Sequence, residues 1–400
     1  MRRLFFWLER SLLILVILPI VVFLSFSAVI NWMDFNRYKA DIEAEVKQIS
    51  GLDLKISGSI DVSVMPLRLN IGSAALKNPE GFKEENLLSL KQARIEFSLL
   101  DWLLHRDVHI LSLELVSPKL NLIRSENGNN WQNLPWLSRW LQGGGENTLA
   151  IFYPARETAS LKYAVARSSG ESTAKANFLH GLSFDSLMVR NGSFRLLDER
   201  HQFEAKIDKI DFLSFDARIG QPFDISMSFN YSNSLSPRSL DFRLNSRMLI
   251  QNRFYEWQFD DWDGMFKIHL PETYRVPDVR LATSGEHLLL DAMNQNLAGK
   301  GVSIRALDSH LMMDFAGQLG ALTDLRGTLS AKNLKFSQWS EQLGVPLEIH
   351  QEIDQDKVID GAFAWQWDGN SLGVRRLPEP AATQPQSSNS LENKVPDAVP

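Results

Sequence analysis

Phe223-Asp-Ile-Ser-Met-Ser-Phe-Asn-Tyr231 decides the fold, because its apolar and polar residues alternate strictly. Successive side chains of a β-strand point to opposite faces, so this alternation predicts a strand with one apolar face and one polar face. The same period governs residues 93–99 and residues 240–245. The pattern predicts a mainly β protein built on a long antiparallel sheet, with an apolar face that continues from strand to strand.

Two further segments are similar to each other, and their pattern favours two copies of one hairpin. Residues 110–123 and 184–197 align so that Ser117-Pro118 takes the place of Asn191-Gly192. Asn-Gly is the strongest signal for a two-residue hairpin turn, since both positions tolerate positive φ. Turns at these dipeptides would bring apolar residues together on one face: Leu113 with Leu122, Leu115 with Leu120, Leu187 with Leu196, and Val189 with Phe194.

The N-terminal segment predicts a single transmembrane anchor. Residues 11–33 contain no charged residue, and about 20 apolar residues suffice for a helix to cross a hydrocarbon core of roughly 30 Å. Three arginines precede the segment, at positions 2, 3 and 10. The positive-inside rule therefore predicts that residues 1–33 form a cytoplasmic stub and an anchor, with the rest of the chain on the far side of the membrane.

A cleaved signal peptide is the alternative interpretation of the same segment. Ser25-Phe26-Ser27 offers small residues at the spacing of a cleavage site. The apolar run continues past that site through Ala28, Val29 and Ile30. This continuation favours a retained anchor.

The rest of the chain divides by composition and period. Residues 34–50 predict an amphipathic helix with Phe35, Tyr38, Ile42, Val46 and Ile49 on one face, ended by a cap at Gly51. Two blocks of sheet are predicted, at residues 51–142 and 178–376. A loop or linker rich in Gly, Ser, Thr and Ala is predicted between them, over residues 143–177. Helices after residue 50 are expected to be short, and the sequence favours them most at residues 131–141 and 337–343. Residues 377–400 predict a disordered tail, since they are polar and rich in proline.

The composition and motifs favour no enzyme and no cofactor. A net charge of −6 argues against nucleic-acid binding, and the absence of cysteine excludes disulfides, thiolate zinc sites and cysteine nucleophiles. His105 and His109 have a spacing that suits metal binding on a helix, but no third ligand is adjacent. Residues 260–264, Asp-Asp-Trp-Asp-Gly, lack the ligand spacing of a calcium loop, so a turn is favoured there.

Several short motifs follow one another in a particular order along residues 1–345. They are Gly51-Leu-Asp-Leu-Lys-Ile-Ser-Gly58, Pro66-Leu-Arg-Leu69, Asn78-Pro-Glu-Gly-Phe82, Leu113-Glu-Leu-Val-Ser-Pro118, Asn127-Gly-Asn-Asn-Trp131, Asn191-Gly192 and Leu325-Arg-Gly-Thr-Leu-Ser330. This order resembles the N-terminal region of the AsmA family of Gram-negative envelope proteins. The family is in turn similar to bridge-like lipid-transfer proteins.

The resemblance implies a curved, taco-shaped sheet whose apolar groove shields acyl chains. It also implies a bacterial inner-membrane location, a cytoplasmic N-terminus, a periplasmic body, and a role in outer-membrane assembly. The expected partners are phospholipid or another acyl lipid and the inner membrane. The candidates for the groove are Ile95, Phe97, Leu113, Leu115, Leu120, Leu122, Leu187, Val189, Phe194, Leu196, Ile225, Met227, Phe229, Phe242 and Leu244.

A closed β-sandwich is the alternative to an open groove. An apolar sheet face must be covered by helices, by another sheet or by lipid. In a sandwich the same residues would pack internally, and the protein would act as a structural or assembly factor of the envelope. Strands laid across a groove add about 4.8 Å each, so a trough of roughly 70 Å is expected. We expect such a trough to be too short to cross the periplasm unless other envelope proteins extend it.

Overall fold

The fold is a single long, curved, mixed sheet with few helices. A computed structural model describes residues 25, 32–105, 109–126, 128–131, 183–218, 220–250, 256–272, 277–291, 295–319, 323–343, 347–349, 354, 356–368 and 372–377. Within these ranges 21 strands join one sheet. The predicted mainly β class is therefore confirmed.

The helices of the described residues are short. They comprise a 3₁₀ turn at Phe35–Tyr38, α1 at Lys39–Ser50, α2 at Leu99–His105 and α3 at Phe336–Leu343. The strands of the first block are β1 Leu54–Ile56, β2 Ile60–Val64, β3 Leu67–Ile71, β4 Ala74–Lys77, β5 Asn86–Leu90, β6 Gln92–Phe97, β7 Ile110–Val116, β8 Lys119–Ser125 and β9 Gly128–Asn129.

The strands of the second block are longer. They are β10 Ser183–Asp198, β11 Phe203–Arg218, β12 Phe223–Asn233, β13 Ser236–Ile250, β14 Glu256–His269, β15 Asp278–Asp291, β16 Asn296–Ala306, β17 Ser309–Gln318, β18 Asp324–Leu334, β19 Leu347–Ile349, β20 Ile359–Trp367 and β21 Leu372–Arg376. Strands β10 to β18 form an antiparallel meander that continues through β20 to β21.

The sheet branches at β10. The first half of this strand pairs with β7, which leads through β6 and β3 to β2. The second half pairs with β8, which leads through β5 and β4 to β1. Both β10 pairings are parallel, as is the pairing of β19 with β21. The prediction of a purely antiparallel sheet was therefore wrong.

The two predicted hairpins were also wrong. Strand β10 runs without a turn through Asn191-Gly192, and residues 110–123 lie beside residues 184–197 rather than folding back on themselves. The two similar segments are parallel neighbours in equivalent register, since Val189 lies opposite Leu115 and Phe194 lies opposite Leu120. The similarity is real, but it relates adjacent strands and not two hairpins.

Backbone irregularities at matched positions explain why a turn was predicted. Ser117 and Asn191 both have a φ of 49°, the left-handed conformation that the turn prediction required. The Ser117 amide donates to the Arg190 carbonyl at 2.7 Å, and the Ser193 amide donates to the Pro118 carbonyl at 2.8 Å. Positive φ at one residue within a strand produces a β-bulge, whereas a two-residue hairpin turn needs a reversal of the chain.

The N-terminal helical region ends as predicted. Gly51 has a φ of 72° and its amide donates to the Lys47 carbonyl at 2.8 Å, which is a left-handed helix cap. Polar side chains fasten this region to the sheet, because Asn36 Oδ1 accepts from the Ile60 amide at 3.0 Å and Glu43 Oε1 accepts from the Ile56 amide at 2.8 Å. Tyr38 and Ile42 of the predicted apolar stripe are 38% exposed, so the stripe is not fully packed on the sheet.

Several predicted segments lie mostly outside the described residues. These are the anchor at residues 11–33, the linker at 143–177, the tail at 377–400 and the helix at 131–141. Within the described ranges, no helix has the length and hydropathy needed to cross a bilayer. The helix predicted at residues 337–343 is confirmed as α3.

Candidate functional site

One face of the sheet carries an apolar row that crosses twelve strands from β3 to β18. Residues directly opposite each other in paired strands point to the same face. The pairings connect Ile71, Ala93, Leu115, Val189, Phe212, Met227, Leu244, Gly264, Thr283, Ile304, Leu311 and Ala331. We call this set the central row. Only Gly264 and Thr283 interrupt its apolar side chains.

A second row runs on the same face, closer to the other end of the strands. It connects Leu88, Leu120, Phe194, Ile207, Tyr231, Leu240, Ile268 and Val279. Met227 and Tyr231 belong to different rows but are four residues apart in the regular strand β12, so they point to one side. The two rows together make a broad apolar face.

The structure places all fifteen predicted groove residues on this face. Ile95, Leu113, Leu187 and Ile225 lie in one further row, which Ser214 interrupts between Leu187 and Ile225. Phe229 lies opposite Phe242, with ring centroids 4.9 Å apart. Four of the fifteen are buried, namely Leu122, Leu196, Ile225 and Leu244, and the other eleven are half-buried. Their contact with lipid stays a prediction.

Three clusters of buried side chains stabilise the apolar face. The first contains Leu122, Leu196 and the fully buried Phe203, the second contains Ile225 and Leu244, and the third surrounds Phe363. Among the residues that the structure describes, helix residues enter these clusters only from α3, through Phe336 and Trp339. The described helices therefore cover only a small part of the face, near β17 to β21.

The opposite face is polar and bound together by ion pairs. Arg68 pairs with Glu96 at 3.0 Å across β3 and β6, and Arg94 pairs with Glu114 at 2.9 Å across β6 and β7. Arg190 of β10 reaches Glu114 at 3.0 Å. Each pair joins neighbouring strands, which is the favourable arrangement of opposite charges across a sheet. Water can solvate the charged face of this sheet, so only the apolar face needs to be covered by protein or lipid.

Two histidines each form double contacts with aspartates. His109 lies 3.0 Å from Asp101 of α2 through Nδ1 and 3.0 Å from Asp185 of β10 through Nε2. The hydrogen bond to Asp101 is the main cause that raises the pKa of His109 above 6.5, with Asp185 adding to it against partial burial. The pKa of His269 is raised likewise, chiefly by Asp241. The metal role of His105 and His109 gains no support, since no metal-binding cluster occurs among the described residues.

The attachment of α2 is expected to depend on pH. The raised pKa of His109 means that protonated His109 contributes stability fully below the unfolded pKa of 6.5, and that this contribution is lost as the pH rises through the folded-state pKa. We expect the amides of α2 to exchange with solvent relatively faster at high pH, after correction for intrinsic exchange. A His109→Asn variant should show no such dependence. Equal pH dependence in both proteins would contradict this role.

Some residues of the apolar face do not follow the simple alternation from which strands are predicted. Phe212 and Ile207 of β11 belong to the two rows, yet they are five residues apart, which breaks the alternation. The reason is the bulge between them, where Lys209 has a φ of 52°. Val189 and Phe194 of β10 have the same odd spacing around Asn191. An odd sequence separation between two apolar residues of one strand was the signal in the sequence that could have indicated these bulges.

These features define a class of protein with a long β-sheet that is apolar on one face and bound by ion pairs on the other. The comparison with known families agrees with the motif order. The model of the AsmA family matches residues 7–372, so the chain belongs to the AsmA family. A search of curated proteins gives no match.

Proposed function

We propose that this protein is anchored in the bacterial inner membrane, projects into the periplasm and shields or transfers acyl lipid along its apolar face. In this role it supports the assembly of the outer membrane. Membership of the AsmA family supports an envelope role in general. The lipid role is more specific than this general role, and its support comes from the apolar face of the sheet.

The observation that carries the proposal is the central row. Its apolar side chains continue across strands of one sheet, and Leu115, Val189 and Met227 within it remain half-buried. Large apolar side chains that stay open to solvent cost free energy, at about 25 cal/mol per Å² of apolar surface. An acyl chain laid along the rows would cover this surface. Branched aliphatic and aromatic side chains suit such a ligand because they do not need a hydrogen-bonding group from it.

The length of the sheet bears on how the lipid would move. From β2 the strands follow in the order β3, β6, β7, β10 to β18, β20, β21 and β19. At about 4.8 Å per strand this path is roughly 70 Å long. Because we expect this length to be too short to cross the periplasm, the proposal includes another envelope protein that extends the apolar face.

Site-specific crosslinking tests the lipid role. Photocrosslinking residues at Leu115 and Phe194, in the two apolar rows, are expected to capture phospholipid in the full chain extracted with detergent. A crosslinker at Ser112, which alternates with Leu113 and points to the polar face, is the control. Lipid mass spectrometry identifies the adduct.

The outcomes separate the two functions considered for this fold. Lipid adducts at Leu115 and Phe194, with none at Ser112, support the proposal. If neither apolar site captures lipid and no phospholipid co-purifies, the apolar face packs on protein. That result would favour a structural or assembly factor with a closed β-sandwich.

A further inference from the structure

Helix α2 presents a water-exposed apolar face at one end of the sheet. Leu100 is 69% exposed and Leu104 is 73% exposed. These two leucines are four residues apart and therefore share a helix face. Met65, in the turn between β2 and β3, is 79% exposed. Exposed apolar side chains of this size are unfavourable in water.

The three exposed residues lie at the same end of neighbouring strands. Leu67 at the start of β3 lies opposite Phe97 at the end of β6, and Phe97 lies opposite Ile110 at the start of β7. Met65 immediately precedes β3, and α2 connects β6 to β7. We call Met65, Leu100 and Leu104 the edge patch.

The edge patch is held in place by polar contacts of α2 with the sheet. Asp101 of α2 contacts His109, which also contacts Asp185 of β10. The Asp101 amide donates to Ser98 Oγ at 3.2 Å, and the Ser98 amide donates to the His109 carbonyl at 2.9 Å. These contacts fasten α2 to the sheet, while Leu100 and Leu104 stay exposed to solvent.

The residues that follow the predicted anchor contact β2, the strand that leads to the edge patch. The uncharged stretch ends at Met33, and Asn36 is bonded to the first residue of β2, Ile60. Strand β2 then leads to Met65. Three residues from Met33 to Asn36, the Asn36–Ile60 hydrogen bond and five residues from Ile60 to Met65 together limit the distance from Met33 to Met65 to roughly 35 Å. Trp32, at the end of the predicted anchor, is 94% exposed, and tryptophan is enriched where a bilayer meets water.

We propose that the edge patch docks on the surface of the bilayer that holds the anchor, with Met65, Leu100 and Leu104 inserted among the lipid headgroups and upper acyl chains. Two points of attachment, the anchor and the patch, then fix the orientation of the sheet. The strand ends of β2, β3, β6 and β7 that carry the patch would then face the bilayer. This inference rests on the proposed membrane location and not on lipid transfer.

Depth-sensitive fluorescence on the full chain tests the docking. The chain has no cysteine, so Met65→Cys, Leu100→Cys and Leu104→Cys each provide a unique site for a nitrobenzoxadiazole label. Leu235→Cys is the matched control, because Leu235 is 47% exposed and lies between β12 and β13 at the opposite end of the strands. Vesicles contain phosphatidylethanolamine and phosphatidylglycerol, with or without lipids carrying a doxyl group in the upper acyl chain.

Labels at the edge patch are expected to shift to shorter wavelength and to lose at least about twofold more fluorescence to the doxyl lipids than the label at position 235, since an interfacial apolar face sits about 5–10 Å deep. Equal quenching at all four positions overturns the proposal. All four side chains are exposed, and circular dichroism checks that each variant keeps its sheet. Crosslinking at Leu115 reports on the lipid role separately, so each proposal fails by its own measurement.

Discussion

Met227→Asp is expected to abolish most lipid capture at the apolar face, by about tenfold or more. Met227 is half-buried in the central row, opposite Phe212 and Leu244. A carboxylate at this position either stays hydrated, which keeps an acyl chain away, or loses its hydration when the chain binds. The loss of hydration costs free energy and weakens binding. The yield of lipid adduct from a crosslinker at Leu115, measured by mass spectrometry, reports the loss.

A control variant one residue away carries the same charge on the other face. Ser226 is exposed and adjacent to Met227 in β12, so Ser226→Asp adds the same carboxylate on the polar side. We expect it to leave lipid capture close to that of the unmodified chain, and Met227→Leu to do the same. Circular dichroism verifies that each variant retains its sheet. If Met227→Asp and Ser226→Asp capture equal amounts of lipid, the central row does not contact it.

Asn130→Ala is expected to lower the free energy of unfolding by about 3 kcal/mol, since a buried side chain loses three hydrogen bonds. Asn130 is fully buried. Its Oδ1 accepts from the Ile123 amide at 2.9 Å, and its Nδ2 donates to Asn78 Oδ1 and to the Asn121 carbonyl, each at 2.8 Å. The alanine variant leaves the amide of the buried Ile123 without this acceptor, next in the chain to Leu122 of the first apolar cluster.

Chemical unfolding of the full chain in detergent, followed by tryptophan fluorescence, measures this change. Asn245→Ala is the control, because Asn245 is exposed and its side chain makes one hydrogen bond, to Asp263 at 3.2 Å. We expect that variant to change the free energy by no more than about 0.5 kcal/mol. Similar losses for the two variants would mean that the buried network around Asn130 is not what stabilises the first block.

The alternating pattern predicted the strands well but not their partners. In β12 and β13 it identified Ile225, Met227, Phe229, Phe242 and Leu244, which the structure places on one face. In β10 the pattern changes phase between Val189 and Phe194, and a hairpin explained this change as well as a bulge did. The bulge became apparent only from the neighbouring strand, whose Ser117 has the same positive φ as Asn191.

The sequence by itself determined the β class, the apolar and polar faces of the strands, the Gly51 cap, helix α3 and the resemblance to the AsmA family. These features depend on the period of apolar residues, on local backbone preference or on the order of motifs. All three can be observed in the sequence without knowing which strands pair. Only the tertiary structure decided that β7 and β8 lie parallel to β10, and that His109 joins Asp101 to Asp185, 76 residues further along the chain than His109. Such contacts depend on which strands meet across the sheet, and side-chain alternation says where a residue points but not which strand it meets.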